Sequence, residues 1–300
     1  MILEKTDNIN LDIKENFPMK DYTTIKIGGP AKYLIYPNSI KDLINLLNKL
    51  HNENEKFIVL GAGSNTVISD EGIKQFIIST RKLKKFKINE SDLTVEAECG
   101  AMMSSLMNNS IKLGLTGFEF WAGIPGTVGG GVYMNAGANG GETKDCVKEI
   151  YIWHEGNEIK LDREDINFEY RKSNLPSGSI VTRAVFQLQK GNKEEIQKNV
   201  KKYLEYRNST QPVKWANTGS IFKNPKEIPA GKLLEELGFK GKTVGGAKFS
   251  DLHANFIVNE NNATAIDVKN LINSAKKQAF EQRNIKLETE VEFIEEENSL

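Results

Sequence analysis

The run Glu119-Phe120-Trp121-Ala122-Gly123-Ile124-Pro125-Gly126-Thr127-Val128-Gly129-Gly130-Gly131-Val132-Tyr133-Met134-Asn135-Ala136-Gly137-Ala138-Asn139-Gly140-Gly141-Glu142 decides how this chain reads. Eight of the 25 glycines fall between Gly123 and Gly141. Each ordered glycine loses roughly 0.5–1 kcal/mol of extra backbone entropy. A flexible linker is also glycine-rich, but it lacks Phe120, Trp121, Ile124, Val128, Val132, Tyr133 and Met134, which seek burial. Glycine interleaved with large apolar residues predicts ordered main chain pressed against a partner. A large flat or phosphate-bearing ligand is favoured over a tight turn.

Some sixty residues earlier the apolar strand Phe57-Ile58-Val59-Leu60 runs into Gly61-Ala62-Gly63-Ser64-Asn65. A Rossmann fingerprint fails here, because Thr66 stands where its last glycine belongs and strand-like sequence follows instead of a helix. Freed backbone N–H groups, the Ser64 hydroxyl and the Asn65 amide can still donate to a pyrophosphate. Gly241-Lys242-Thr243 mimics the end of a P-loop, but Glu236 stands at its required first glycine. Two glycine loops so spaced suit a dinucleotide, one at the pyrophosphate and one beside a flat ring.

The rest of the chain supplies ordinary elements. Ile40, Leu43, Ile44, Leu47 and Leu50 predict an amphipathic helix at about 40–51, and further helices are expected at about 101–113, 229–237 and 263–282. Asn192 and Glu195 predict a capping box opening another helix. From Ile285 to Phe293 the residues alternate strictly, with Glu288, Glu290 and Glu292 on the outer side. Forty Lys+Arg balance forty Asp+Glu, so no overall field attracts nucleic acid or an anionic membrane. No sustained apolar run suits a leader or a membrane span, which points to the cytoplasm. Two cysteines and three scattered histidines predict neither a disulfide framework nor a metal site.

Tyr22-Thr23-Thr24-Ile25-Lys26-Ile27-Gly28-Gly29-Pro30-Ala31, Leu60 to Asn65 and Ala122 to Gly130 together resemble the FAD-binding part of the UDP-N-acetylenolpyruvoylglucosamine reductase family, flavoproteins of the vanillyl-alcohol-oxidase class. The likeness continues in order through Tyr170-Arg171-Lys172-Ser173, Gly219-Ser220-Ile221-Phe222-Lys223-Asn224-Pro225, Ala230 to Glu235, His253 to Asn259 and Leu287-Glu288-Thr289-Glu290-Val291. It covers nearly the whole chain.

The resemblance implies an α+β fold: FAD-binding subdomains at 1–80 and 81–204, and a C-terminal substrate domain at 205–300. It implies FAD as cofactor, held by Gly61, Ala62, Gly63, Ser64, Asn65, Thr66, Gly123, Ile124, Pro125, Gly126, Thr127, Gly130, Asn135, Ala136 and Gly137. NADPH is the implied co-substrate, and the enolpyruvyl ether of UDP-N-acetylglucosamine the molecule reduced, by a monomer. Arg171 is expected to stabilise charge on the substrate carboxylate, because a guanidinium stays protonated and grips a carboxylate through two bonds. Ser220 is expected to deliver a proton, and Glu290 to orient or polarise the carboxylate or assist that delivery. Tyr170, Lys223 and Asn224 are the expected substrate contacts. Some family members carry a lid loop after the Tyr-Arg-x-Ser motif. Here only Asn174 to Ser179 precede the next strand, too few for one. A different oxidase of the same flavin fold, or a non-catalytic flavin or nucleotide-sugar binder, would share the glycine loops but would not need Arg171, Ser220 and Glu290 together.

Overall fold

Leu11–Pro18 pairs antiparallel with Pro30–Pro37, which runs parallel to Ile73–Ser79 and through it to Phe57–Leu60. This computed structural model describes residues 9–296, so the first eight and last four residues of the expected three-part division lie outside it. Helix α1 (Ile40–Asn52) covers the sheet, its first turn capped by Ser39, whose hydroxyl accepts from the Asp42 N–H. Leu43, Leu46, Leu47 and Leu50 are buried against Ile35, Phe57, Phe76 and Ile78. These four leucines keep to one helical face, so the helix buries an apolar stripe on the sheet.

A second sheet is antiparallel throughout, in the order Asn157–Asp162, Val147–His154, Ile180–Gln187, Thr94–Glu98 and Phe86–Asn89. Helices α2 (Met103–Lys112), α3 (Val128–Tyr133) and α4 (Lys193–Thr210) contribute to its core with Phe118, Trp121 and Phe186. The expected capping box at α4 is only half present: Asn192 caps the N–H groups of Glu194 and Glu195, and no bond returns from Glu195. One carbonyl oxygen with two lone pairs serves both donors, which leaves the carboxylate in water.

The third sheet orders Asn217–Ser220, Phe256–Asn259, Ala247–Phe249 and Thr243–Val244 antiparallel, with helices α5 (Ala230–Glu236) and α6 (Ala265–Arg283) over it. The Asp70 carboxylate accepts from the Ala265 and Ile266 N–H groups, so the first turn of α6 is held by a distant loop. The chain then returns: Glu292–Ile294 pairs parallel with Thr66–Ile68. The alternating tail is therefore a strand only at its end. Residues 288–290 instead bond to the loop after Ser220, through Lys223 N–H to Glu288 O and Glu290 N–H to Ile221 O. None of the described helices is long and apolar enough to cross a membrane.

Candidate active site

The two glycine loops meet. A Cβ added to Gly61 would lie 2.4 Å from the Thr127 hydroxyl oxygen, and Ser64 Oγ donates to the Pro125 carbonyl at 2.8 Å. Tyr22 supports the first loop from below, its hydroxyl donating to Gly61 O at 2.6 Å and bonded to Ser79 Oγ at 2.8 Å. Burial pushes that phenol up to about 12. Arg81, which the sequence reading missed, lies over the Tyr22 ring and donates to the Tyr22 and Ala62 carbonyls at 2.6 and 2.7 Å. Thr24 ties the same loop to the third sheet, its N–H on Gly63 O and its hydroxyl on Asn217 O, three residues before Ser220.

Arg171 stands on a tight two-residue turn. Glu169 and Lys172 exchange both main-chain bonds, and Arg171 takes the left-handed conformation at φ 58°. Such a conformation is unfavourable for a residue with a Cβ and persists only where the surroundings fix it. Two struts do so here: Ser173 Oγ donates to Tyr133 O at 2.8 Å, and Asn135 Nδ2 donates to Glu169 O at 2.9 Å. The turn is thereby pinned to the glycine-rich segment.

Across the cleft, Glu290 accepts from Arg171 Nε at 2.8 Å, with both side chains largely buried at 16% and 19% exposure. Glu288, two residues away, is 75% exposed. The expected wet face of the tail breaks at Glu290, because Asn65 Nδ2 donates to the Glu290 carbonyl and draws this residue toward the first glycine loop. Burial raises the Glu290 carboxyl above its ordinary value, while Arg171 and then Lys223 pull it back. The Glu290 N–H on Ile221 O places it beside Ser220, at the end of the strand that pairs with Phe256–Asn259. Gly219 precedes Ser220 at φ 82°, a backbone that an alanine would strain. Tyr170, Lys223 and Asn224 line one cleft of about 960 Å³ with Lys172, Lys226 and Phe280.

Residues 211–294 match the C-terminal domain model of UDP-N-acetylenolpyruvoylglucosamine reductase, and residues 31–159 match a model described as FAD binding domain. A UDP-N-acetylenolpyruvoylglucosamine reductase of Caldicellulosiruptor bescii is 42% identical over 96% of this chain and 93% of its own. That of Carboxydothermus hydrogenoformans is 40% identical over 98% and 97%. The chain belongs to the UDP-N-acetylenolpyruvoylglucosamine reductase family. The crystal structure of the Thermus caldophilus member superposes with a TM-score of 0.82 at 34% identity, covering 96% of this chain and all of that one. A berberine bridge enzyme variant shares the flavin-binding fold at 13% identity and a TM-score of 0.51, covering 64% of this chain and 44% of its own.

The family's FAD fits the residues present. Among the described residues, none of the main-chain N–H groups of residues 61–65 finds an acceptor, nor do those of Gly123, Gly126, Thr127 and Gly130. Unpaired N–H groups converging from two loops form an anion cradle suited to a pyrophosphate. The Thr127 hydroxyl is also buried there without a partner.

Some expected cofactor contacts serve the protein instead. The Ser64 hydroxyl and Asn65 amide are spent on Pro125 and Glu290 carbonyls, which leaves main chain as the donor set. Asn135 is fully engaged, donating to Glu142 Oε2 and Glu169 O and accepting from Lys144 N–H. Gly137 lies in a short hairpin where a Cβ would meet Gly141 O at 2.6 Å, and the Ala136 carbonyl accepts from Thr143. Gly129 and Gly131 press on Cys99 and Met103, and Gly141 on Phe120. Much of the glycine density therefore allows close internal packing, and the ligand face is narrower than the sequence implied. Thr66 is a buried strand residue, and the Asn224 side-chain carbonyl accepts from Ala230 N–H at the start of α5.

Gly61→Ala should weaken FAD binding about tenfold, since overpacking at this short contact costs about 1–3 kcal/mol. Titration followed by flavin fluorescence measures this, and unchanged affinity would show that the loops are free to part.

Proposed function

We propose that this chain reduces the enolpyruvyl ether of UDP-N-acetylglucosamine to UDP-N-acetylmuramate, a peptidoglycan precursor, with NADPH as reductant. FAD, held by the main-chain N–H groups of residues 61–65 and of Gly123, Gly126, Thr127 and Gly130, would supply hydride-transfer chemistry between NADPH and the enolpyruvyl carbon. The observation that carries the reading is the largely buried Arg171–Glu290 pair, tied to the first glycine loop through Asn65 and lying beside Ser220.

Glu290 holds Arg171 through Nε alone, and the two terminal nitrogens make no other bond among the described residues. They are left to grip a substrate carboxylate side by side, where negative charge grows as hydride adds to the neighbouring double bond. Glu290 also anchors the guanidinium against rotation. Ser220 supplies its hydroxyl proton to the carbon next to the carboxylate. A hydroxyl is a weak acid in water, but a carbanion-like centre is a strong enough base to take its proton. Tyr170, Lys223 and Asn224 are placed to hold the nucleotide-sugar in the adjoining cleft, where Lys172 and Lys226 add positive charge toward its phosphates. Water-soluble substrates and balanced surface charge suit a monomer working in the cytoplasm, without nucleic-acid or membrane partners.

NADPH oxidation by the flavin-loaded protein should depend on the enolpyruvyl UDP-sugar, one NADPH consumed per sugar nucleotide reduced. Oxidation that proceeds at the same rate without that substrate would defeat the assignment.

A further inference from the structure

Ser220 sits just past an irregularity in its strand. Asn217 pairs with Val258 and Ser220 with Phe256, so three steps along one strand oppose two along the other, a bulge with one extra residue. Gly219, at φ 82°, turns the chain inside the bulge, and its N–H donates to Asn217 Oδ1 at 2.8 Å. A bulge re-aims the side chain that follows it, here the Ser220 hydroxyl. Burial of the next residues does not fix that aim. Ile221 and Phe222 are consecutive, both apolar and both enclosed in the third core, at 0% and 1% exposure. Strand register is set where apolar and polar residues alternate, and a slip of one residue turns each side chain to the opposite face. With two buried residues in succession, the apolar pattern does not distinguish one register from the next.

Hydrogen bonds do distinguish them. The Asn255 carbonyl accepts from Ile221 N–H at 2.8 Å, its side-chain oxygen accepts from Phe222 N–H at 2.9 Å, and its Nδ2 donates to the Phe222 carbonyl at 2.8 Å. One residue therefore bonds Ile221 and both main-chain groups of Phe222, as a neighbouring strand would. Asn255 is 3% exposed, so a shifted register would leave amide groups with neither a partner nor water. Asn255 is itself held. Its N–H donates to His253 Nδ1 at 3.2 Å, which requires a neutral ring with the proton on Nε2. Burial lowers the His253 pKa, and that keeps the ring neutral. The ring is wedged between Phe256, edge-on at 4.9 Å between centroids, and Gly231 of α5, where a Cβ would lie 2.8 Å from its Cε1.

We infer that Asn255, steadied by His253, is the positioning residue that sets the aim of the Ser220 hydroxyl. The inference rests on the reading that Ser220 delivers a proton to the enolpyruvyl group. The Asn255 amide is spent on main chain two residues past Ser220, so it acts through the serine and not on the substrate. The tail holds the other side of the same loop, with Glu290 N–H on Ile221 O and Lys223 N–H on Glu288 O. Glu290 also keeps tethers to Asn65 and Arg171 that owe nothing to Asn255. Removing the amide therefore frees the serine's side of the loop and leaves the carboxylate clamp in place. A displacement of about 1 Å at a reacting group is enough to cost about 10²-fold in rate.

The test follows the two half-reactions of the flavin-loaded protein by stopped flow, in wild type, Asn255→Ala, Ser220→Ala and the double variant. Asn255→Ala should slow flavin reoxidation at saturating enolpyruvyl UDP-sugar about 10²-fold, with flavin reduction by NADPH within about twofold of wild type. In the Ser220→Ala background the same change should add no more than about threefold, because residues that act as one unit are not additive. His253→Leu, which removes the acceptor for the Asn255 N–H, should slow reoxidation about tenfold. His253→Asn, whose side-chain oxygen stands where Nδ1 stood, should recover most of that loss. Three results overturn the inference: the full slowing repeated in the Ser220→Ala background, equal slowing of both half-reactions, or weakened substrate affinity with the saturated rate intact. Should Asn255→Ala fail to fold, unchanged reoxidation in His253→Leu overturns it instead. Unslowed reoxidation in Ser220→Ala alone would defeat the proton-donor reading, a separate result.

Discussion

Ser220→Ala should leave reduction of the bound flavin by NADPH within about twofold of wild type, while slowing flavin reoxidation by the enolpyruvyl UDP-sugar about 10²- to 10⁴-fold, the range over which positioned proton donors act. At 1.36 kcal/mol per tenfold, this is about 3–5 kcal/mol of barrier in one half-reaction only. The asymmetry follows from position. Ser220 closes a strand of the third sheet, and nothing in the glycine-loop cradle depends on its side chain. NADPH delivers hydride with no carbon to protonate, so the first half-reaction does not need the hydroxyl. Stopped-flow absorbance of the flavin separates the two steps. Equal loss in both would mean that the serine shapes the cleft and does not hand over a proton.

How much of this arrangement was legible from residues alone depended on whether a side chain's partner was near in sequence. The helices declared themselves through periodic leucines, because those interactions are made within a few residues. The meeting of the two glycine loops also followed from sequence, since a run that mixes Gly126 and Gly130 with Trp121 and Val132 has to be ordered against something. Part of that something is the protein itself, at glycines that were not among the expected cofactor contacts. Gly129, Gly131 and Gly141 answer to Cys99, Met103 and Phe120, and sequence cannot distinguish a side chain pressed on a glycine from a cofactor pressed on it. Ser64, Asn65 and Asn135 read as donors for a cofactor but are consumed by carbonyls 34 to 225 residues away along the chain. Glu290 was visible only through its motif: three glutamates alternate in the tail, and the one that turns inward is chosen by Asn65 and Arg171, both remote.

Arg171→Met should destabilise the protein by about 3 kcal/mol at neutral pH, with most of the loss recovered toward pH 5, and should reduce turnover at least about 10²-fold. Glu290 is largely buried, and its carboxyl already lies above the ordinary value because burial outweighs the pull of Arg171 and Lys223. Removing Arg171 deletes the larger of those pulls and raises the pKa further. A carboxyl whose folded pKa exceeds its unfolded value binds protons more tightly in the native state. Its contribution to stability is therefore intact below the ordinary glutamate value and is lost as pH rises through the raised one. The gap between wild type and Arg171→Met should accordingly be widest at pH 7–8 and close as Glu290 protonates. Glu290→Gln provides the contrast, because a neutral amide still accepts from Arg171 Nε: its stability deficit should be smaller and flat across the same range. Urea unfolding of the flavin-loaded variants at pH 5 and 7.5 decides the matter. A deficit in Arg171→Met that is the same at both pH values would mean that Glu290 is not the group left without its counter-charge, and the paired clamp proposed for the substrate carboxylate would lose its physical basis.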